Sequence, residues 1–365
     1  MHISIDCRWL GSSGVGTYLD GCLPILLDSQ NNFTLIGDRQ KISKYILNSN
    51  NIKIIDCNIK PFTVVEFFLF PRNILKEINQ ADIYYTPYFN IPGGLKIPVF
   101  ITIHDIIFPD MPDLVSVPGL WARMFFYKHG FSRATLVFTV SDFSKSRIEY
   151  HLGKKKQIIV TCNGINSSAA FNPVQKITKK KIILFIGNVK KNKGIKTLLE
   201  AYIKCIDDGL EYKLVIIGKK ENFRSKDNSI QDYIKRISPD KLIFTGFIPD
   251  DEKIRLLQEA SLLVQPSLYE GFGIPPLEAM VCGTKALISD IPVFKEIYNE
   301  FPVTFFKAGD CEDLKEKLMK LLMKEPETLI LSQVLKDKYT YQKAAAVVLS
   351  QMETYCLECN HQLSQ

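Results

Sequence analysis

The 365 residues are 46% hydrophobic and 23% charged, the composition of an ordinary globular chain long enough for two domains. The net charge of +7 lies largely in lysine-rich stretches such as Lys179-Lys180-Lys181 and 190–196, with no arginine-rich run or aromatic stacking motif, which argues against nucleic acid and leaves an anionic membrane open. No apolar run reaches the roughly 20 residues that cross a bilayer; the nine scattered cysteines read as small buried hydrophobes of a reducing compartment, and residues 1–6 enter a strand pattern with no basic leader, so the expectation is a cytoplasmic protein, soluble or peripheral on the inner membrane.

In chain order, β-rich runs are predicted at 2–6, 33–37, 52–56, 82–85, 98–103, 135–140 and 157–162, with helices over 15–27 and 142–152 among them. The first strand leads to Gly11-Ser12-Ser13-Gly14-Val15-Gly16-Thr17-Tyr18. The order is not G-x-G-x-x-G. Two uses stay open for Gly14 and Gly16: a tight strand-to-helix turn, or close approach of a ligand to bare backbone. Residues 62–70 form an apolar run with Glu66 in its middle, either a core element or a face that touches a membrane. His104 ends the strand Ile101-Thr102-Ile103, where it is placed for ligand contact or for a structural bond, with Asp105 to orient it.

A polar break at 166–180, containing Pro173 and the lysine cluster, separates the halves. Beyond it, strands are predicted at 181–187, 212–218, 241–245, 261–265 and 285–289, and helices at 194–208, 250–260 and 310–323. Ile186-Gly187-Asn188-Val189-Lys190-Lys191-Asn192-Lys193-Gly194 follows a strand and opens a helix. It is not a phosphate loop of the Gly-Lys-Ser/Thr kind, but it puts cations at a helix start, where negative charge is stabilised. The most informative segment is 266–283. There Glu270 enters a loop with Gly271, Phe272 and Gly273; Ile274, Pro275 and Pro276 follow, and Glu278 sits in the first turns of a short helix closed by Gly283. Proline suits a first helical turn, and the glycines leave amides bare. Two carboxylates beside an anion-binding helix start fit a ligand that carries hydroxyls as well as phosphates. A final helix is predicted over about 338–358. Cys356 and Cys359, with His361 nearby, lack the second pair that would complete a zinc site.

Near-continuous apolar strands alternating with helices mean parallel sheets covered on both faces. The fold class is therefore α/β: two Rossmann-like domains, 1–170 and 171–337, with parallel sheets facing across a cleft. Ligands of such sheets sit at the carboxyl ends of the strands.

Segment 266–283, whose glutamates are separated by seven residues, resembles the signature of the retaining GT-B glycosyltransferases of family four, the glycosyl transferases group 1. The glycine loop, His104-Asp105, residues 138–145, residues 160–165 and residues 186–194 are similar to further landmarks of that family. The resemblance covers nearly the whole chain. It departs from the usual pattern at Cys162, where relatives have proline and which reads as a packing change, and at Asn188, where many carry arginine.

The resemblance implies a hexosyltransferase that takes a GDP- or UDP-hexose, mannose by similarity to O-antigen and capsule enzymes, and acts on a glycan or polyprenyl-linked acceptor. Glu270, His104 and Lys193 would be catalytic. The donor would be bound by Gly14, Gly16, Asn188, Lys190, Lys193, the Gly271–Ile274 loop and Glu278, with Glu278 on the ribose and Lys193 on the diphosphate. The last helix would cross back to the N-terminal domain. No Asp-x-Asp triplet occurs, so no metal and no cofactor is expected. Two other readings stay open: a sugar-nucleotide epimerase of the same fold, and a catalytically silent scaffold subunit.

Overall fold

Runs of Val, Ile, Leu and Phe, too short for helices, form two parallel sheets in a computed structural model that describes residues 1–46, 51–166, 177–188, 190–218 and 228–363. The first sheet holds β1 (His2–Asp6), β2 (Asn32–Gly37), β3 (Ile52–Asp56), β4 (Ile83–Thr86), β5 (Val99–Ile103), β6 (Leu136–Thr139) and β7 (Ile158–Val160). Their order across the sheet is β3-β2-β1-β4-β5-β6-β7. The second holds β8 (Lys180–Ile186), β9 (Lys213–Ile217), β10 (Leu242–Gly246), β11 (Ala260–Gln265), β12 (Lys285–Ser289) and β13 (Thr304–Phe306), in the order β10-β9-β8-β11-β12-β13. In both, chain order reverses beside the first strand, between β1 and β4 and between β8 and β11. Loops leaving the carboxyl ends at such a reversal diverge and leave room for a ligand.

Packing divides the chain into Met1–Asn166 with Tyr339–Gln365, and Ser167–Lys338. The boundary expected at 170/171 and most of the break at 166–180 lie outside the described residues. In the first unit, successive residues of β5 enter different apolar clusters. Phe100 joins one, and Val99, Ile101 and Ile103 join the other. A strand alternates its side chains between faces, so both faces of this sheet are buried. The last described helix (Tyr341–Leu363) returns to this unit, where Tyr341, Ala344, Val348 and Met352 pack with Tyr18, Leu19 and Leu23 of α1 (Ser13–Leu27). Backbone bonds between Ile165 and Tyr339 and between Tyr341 and Ile165, at 3.3 and 3.0 Å, bring the chain back.

Three local findings correct or extend the sequence reading. Cys162 has φ +61°, which proline cannot adopt, so the departure from the family's proline is one of backbone conformation rather than packing. The run 62–70 contains a short helix, α2 (Val64–Phe68), capped by the Thr63 hydroxyl, with its one acid, Glu66, buried and Val64, Val65 and Phe68 turned outward. Residues 117–133, which had no assigned element, form α3 (Val117–Arg133). Its apolar residues lie on both the buried and the exposed side, which erases the 3.6-residue period that marks a helix.

Candidate functional site

The second unit assembles its site at the β8/β11 reversal. After β8 comes a single 3-10 turn, Lys191–Lys193, then Gly194, then α4 (Ile195–Asp207). Gly194 has φ +65°, and a Cβ there would lie 1.8 Å from the Pro266 carbonyl oxygen. Only glycine allows this approach between the two loops. Asn192, buried, stitches them together. Its carbonyl accepts from the amides of Leu268 and Tyr269 at 2.7 and 3.3 Å, and its Nδ2 donates to the Tyr269 carbonyl at 3.3 Å.

The result is an ion pair between residues 77 apart in sequence: Lys193 Nζ donates to both carboxylate oxygens of Glu270 at 2.7 Å. Ser267 Oγ donates to Glu270 Oε1 at 2.7 Å, Gln265 Nε2 donates to Ser267 Oγ at 3.1 Å, and Ser289 Oγ fixes the Ser267 carbonyl at 2.5 Å. The side chains are 24% exposed for Lys193 and 10% for Glu270. An ammonium has three N–H donors, so these bonds leave one for a ligand.

Beyond Glu270, buried Phe272 leads to Gly273 at φ +88°, the N-cap of α6 (Ile274–Val281), with α5 (Asp250–Glu259) before it in the chain. A Cβ at Gly273 would sit 2.3 Å from the Phe294 ring, and the Tyr298 hydroxyl donates to the Gly273 carbonyl. Pro275 and Pro276 have no N–H, so Gly273 and Ile274 supply the amides of this helix start. Glu278, one turn on and buried, accepts at Oε1 from Lys253 Nζ of α5 at 3.0 Å; Lys253 also lies 3.4 Å from Asp250. Burial alone would pull the Lys253 ammonium down, but Glu278 and Asp250 outweigh it and its pKa is raised.

The two glutamates are thus distinct, Glu270 held by Lys193 and Glu278 by Lys253. Lys253, Asn192 and Ser267 were missed in the sequence. Ser267, three residues before Glu270, had a local signal; Lys253 belongs to no motif and meets Glu278 only through tertiary packing. Asn188 and Lys190 are both exposed on the β8 loop, with the Lys190 amide donating to the Asn188 carbonyl at 2.9 Å. Val189 lies outside the described residues.

Gly14, Gly16 and His104 belong to the first unit, at the carboxyl end of its sheet. The two glycines differ: a Cβ at Gly16 would lie 2.4 Å from the Trp9 carbonyl oxygen, whereas one at Gly14 meets nothing within 4 Å. Gly16 is required by packing, and Gly14 is open to an approaching group. His104 follows β5 and its Nε2 lies 3.0 Å from the carbonyl of Pro87, which follows β4. A carbonyl only accepts, so Nε2 carries the proton and Nδ1 keeps its lone pair. The Tyr18 ring of α1 meets the imidazole edge-on at 4.9 Å. Burial lowers the imidazole pKa to about 4, against the bond to Pro87, so the ring is neutral near pH 7. Asp105 Oδ1 accepts from the Ile107 amide at 3.1 Å. Among the described residues, no three His, Cys, Asp or Glu side chains converge to hold a metal ion, Cys356 and Cys359 included.

The family model described as glycosyl transferases group 1 matches residues 167–349. The chain is 29% identical over 231 residues to O-antigen chain mannosyltransferase B of Escherichia coli, covering 60% of this chain and 59% of that protein. It is 33% identical over 203 residues to O-antigen chain mannosyltransferase RfbU of Salmonella typhimurium, covering 54% and 53%. The chain thus spans little more than half the length of these curated relatives. Among solved structures it is similar to Anabaena HepE in complex with UDP-glucose, with a TM-score of 0.66 and 15% identity over 100% of this chain and 99% of that one. That likeness shows the fold: two doubly wound parallel sheets of the GT-B class.

Proposed function

Because the chain belongs to the glycosyl transferases group 1 family, we propose that it moves a hexose from a nucleoside diphosphate sugar to a glycan or polyprenyl-linked acceptor in O-antigen synthesis. We assign mannose as the sugar and retention as the stereochemical outcome. The O-antigen mannosyltransferases among the relatives support the sugar and the pathway class, and the UDP-glucose complex of a protein of the same fold supports a nucleotide sugar as donor.

One observation carries the reading: the Lys193–Glu270 pair beside the start of α6 at the β8/β11 reversal. A nucleoside diphosphate needs donors at its phosphates and acceptors at its ribose and sugar hydroxyls. The third N–H of Lys193 and the amides of Gly273 and Ile274 supply the first, where charge builds on the leaving oxygen. Glu270 places a carboxylate where positive charge develops at the anomeric carbon. Glu278, held by Lys253, accepts from the ribose hydroxyls. In the first unit, neutral His104 is assigned to a sugar hydroxyl through Nδ1. These charges do the work without a metal, and contact with the acceptor's lipid carrier makes the protein peripheral at an anionic membrane.

The test is a mass-spectrometric screen of GDP- and UDP-hexoses with and without a polyprenyl-linked acceptor, beside thermal stabilisation by GDP and UDP. Hexose transfer from GDP-mannose that requires the acceptor is the expected result. Conversion of donor without acceptor would make the protein an epimerase, and no conversion of any donor would make it a scaffold.

A further inference from the structure

We propose that the first unit docks on anionic lipid bilayers through an apolar face shared by α2 and α3. On α2 and the residue after it, Val64, Phe68 and Leu69 are exposed; on α3, Val117, Trp121 and Phe125 are exposed, with Trp121 at 75%, Phe68 at 70% and Phe125 at 53%. The Phe67 ring joins the two helices, 4.6 Å from that of Phe68 and 5.6 Å from that of Phe125. Single exposed apolar side chains are ordinary, but a continuous face is not. At about 150–250 Å² for a whole aromatic side chain, the three exposed rings alone present on the order of 400 Å², as large as patches that mark interaction sites.

The outward turn of α2 is built in. Glu66 is locked inside: its Oε1 accepts from Arg8 Nη2 at 2.5 Å, and its Oε2 accepts from the Phe62 amide at 2.7 Å and from Asn90 Nδ2. Arg8 is itself held by Asp6 at the end of β1, at 2.6 and 2.8 Å. With its single acid anchored inward, the helix has to present Val64 and Phe68 to the outside.

Charge selects the occupant. Apart from buried Glu66, the charged residues of 60–72 are Lys60 and Arg72, both exposed. α3 carries no carboxylate; of its cations Lys128 is exposed beside Phe125, while the half-buried Arg123 lies over the Phe62 and Phe108 rings and the half-buried Arg133 donates to the carbonyls of Leu95 and Ile97. The nearest acids before it are Asp113, exposed on the preceding turn, and Asp110, which pairs with Arg147 at 2.5 Å. Cations around aromatic and branched side chains, with tryptophan among them, are the pattern of an interfacial surface on anionic lipid. A second copy would bring the same cations face to face in a twofold pairing and repel.

The proposal rests on the membrane contact in the proposed function, but its observations and its binding measurements involve neither donor nor acceptor. The full chain would be sedimented with phosphatidylcholine vesicles with and without phosphatidylglycerol. Wild type is expected to sediment with the anionic vesicles, less so at high salt, and the variant Phe68→Ser/Trp121→Ser/Phe125→Ser to bind at least about tenfold more weakly with unchanged thermal unfolding. The chain has two tryptophans, so Trp9→Phe isolates Trp121, whose emission should shift to the blue on anionic vesicles and be quenched by brominated acyl chains. Wild type that stays in the supernatant, equal binding by the triple variant, or an unchanged Trp121 spectrum would each overturn the proposal. So would a dimer, seen by ultracentrifugation without lipid, that the same substitutions dissolve. Hexose transfer to a soluble short-chain acceptor, measured on the triple variant, keeps loss of docking distinct from loss of the enzymatic reading.

Discussion

Replacing Lys193 by methionine keeps the length of the side chain and removes its charge, leaving the Glu270 carboxylate held by Ser267 Oγ at 2.7 Å. Breaking a fully buried ion pair costs about 3–5 kcal/mol and an exposed one less than about 1 kcal/mol. This pair is partly buried, with two contacts of 2.7 Å, so Lys193→Met is expected to destabilise the second unit by about 2–3 kcal/mol. For a unit of this size that lowers Tm by about 4–12 °C. Glu270→Gln removes the other charge, and the double variant should be more stable than the sum of the singles by about 1–2 kcal/mol. Melting curves of wild type, both singles and the double measure this coupling. Because the chain has two units, the relevant transition is the one that a nucleoside diphosphate shifts upward. If the two single effects add to within about 0.5 kcal/mol, the pair is not an energetic unit and Asn192 alone joins the loops. Turnover of Lys193→Met should fall by about 10²–10³, as for loss of one preorganised charge at a leaving group. A fall of less than about threefold would move that role to Lys190.

Glu278→Gln should weaken binding of the nucleoside diphosphate by about 1–3 kcal/mol and raise the donor KM. Lys253→Met should change KM in the same direction, since it releases that carboxylate; Glu270→Gln should depress kcat with nucleotide binding nearly unchanged. Calorimetry and steady-state kinetics decide, and nucleotide binding lost in Glu270→Gln but kept in Glu278→Gln reverses the assignment. His104 has a folded pKa of about 4 against an ordinary 6.5. The unfolded chain therefore binds the extra proton between these values, and stability falls as pH drops through that window. Wild type should lose about 2–3 kcal/mol more than His104→Asn between pH 7 and pH 4; parallel stability curves would show that the imidazole is not held neutral. Transfer should survive EDTA, and loss restored by Mg²⁺ or Mn²⁺ would end the metal-free mechanism.

Strand and helix positions were legible because they rest on near-neighbour chemistry. The run at 98–103 became β5 (Val99–Ile103) and the pattern at 194–208 became α4 (Ile195–Asp207). So were the chemical types at the site, since glycine, proline and two glutamates around a helix start constrain what binds there. β13, three residues long, was too short to show a period, and α3 had none because it is apolar on both sides. The sequence by itself determined the α/β class and most helix starts, and it singled out Lys193, Glu270 and Glu278 as candidates. Only the tertiary structure decided that Lys193 is paired, that Lys253 holds Glu278, and that Glu66 turns inward and leaves the faces of α2 and α3 apolar. Those outcomes depend on which strands lie side by side. β8 and β11 are neighbours through a reversal of sheet order, and residues 77 apart meet there with no local signal that they would.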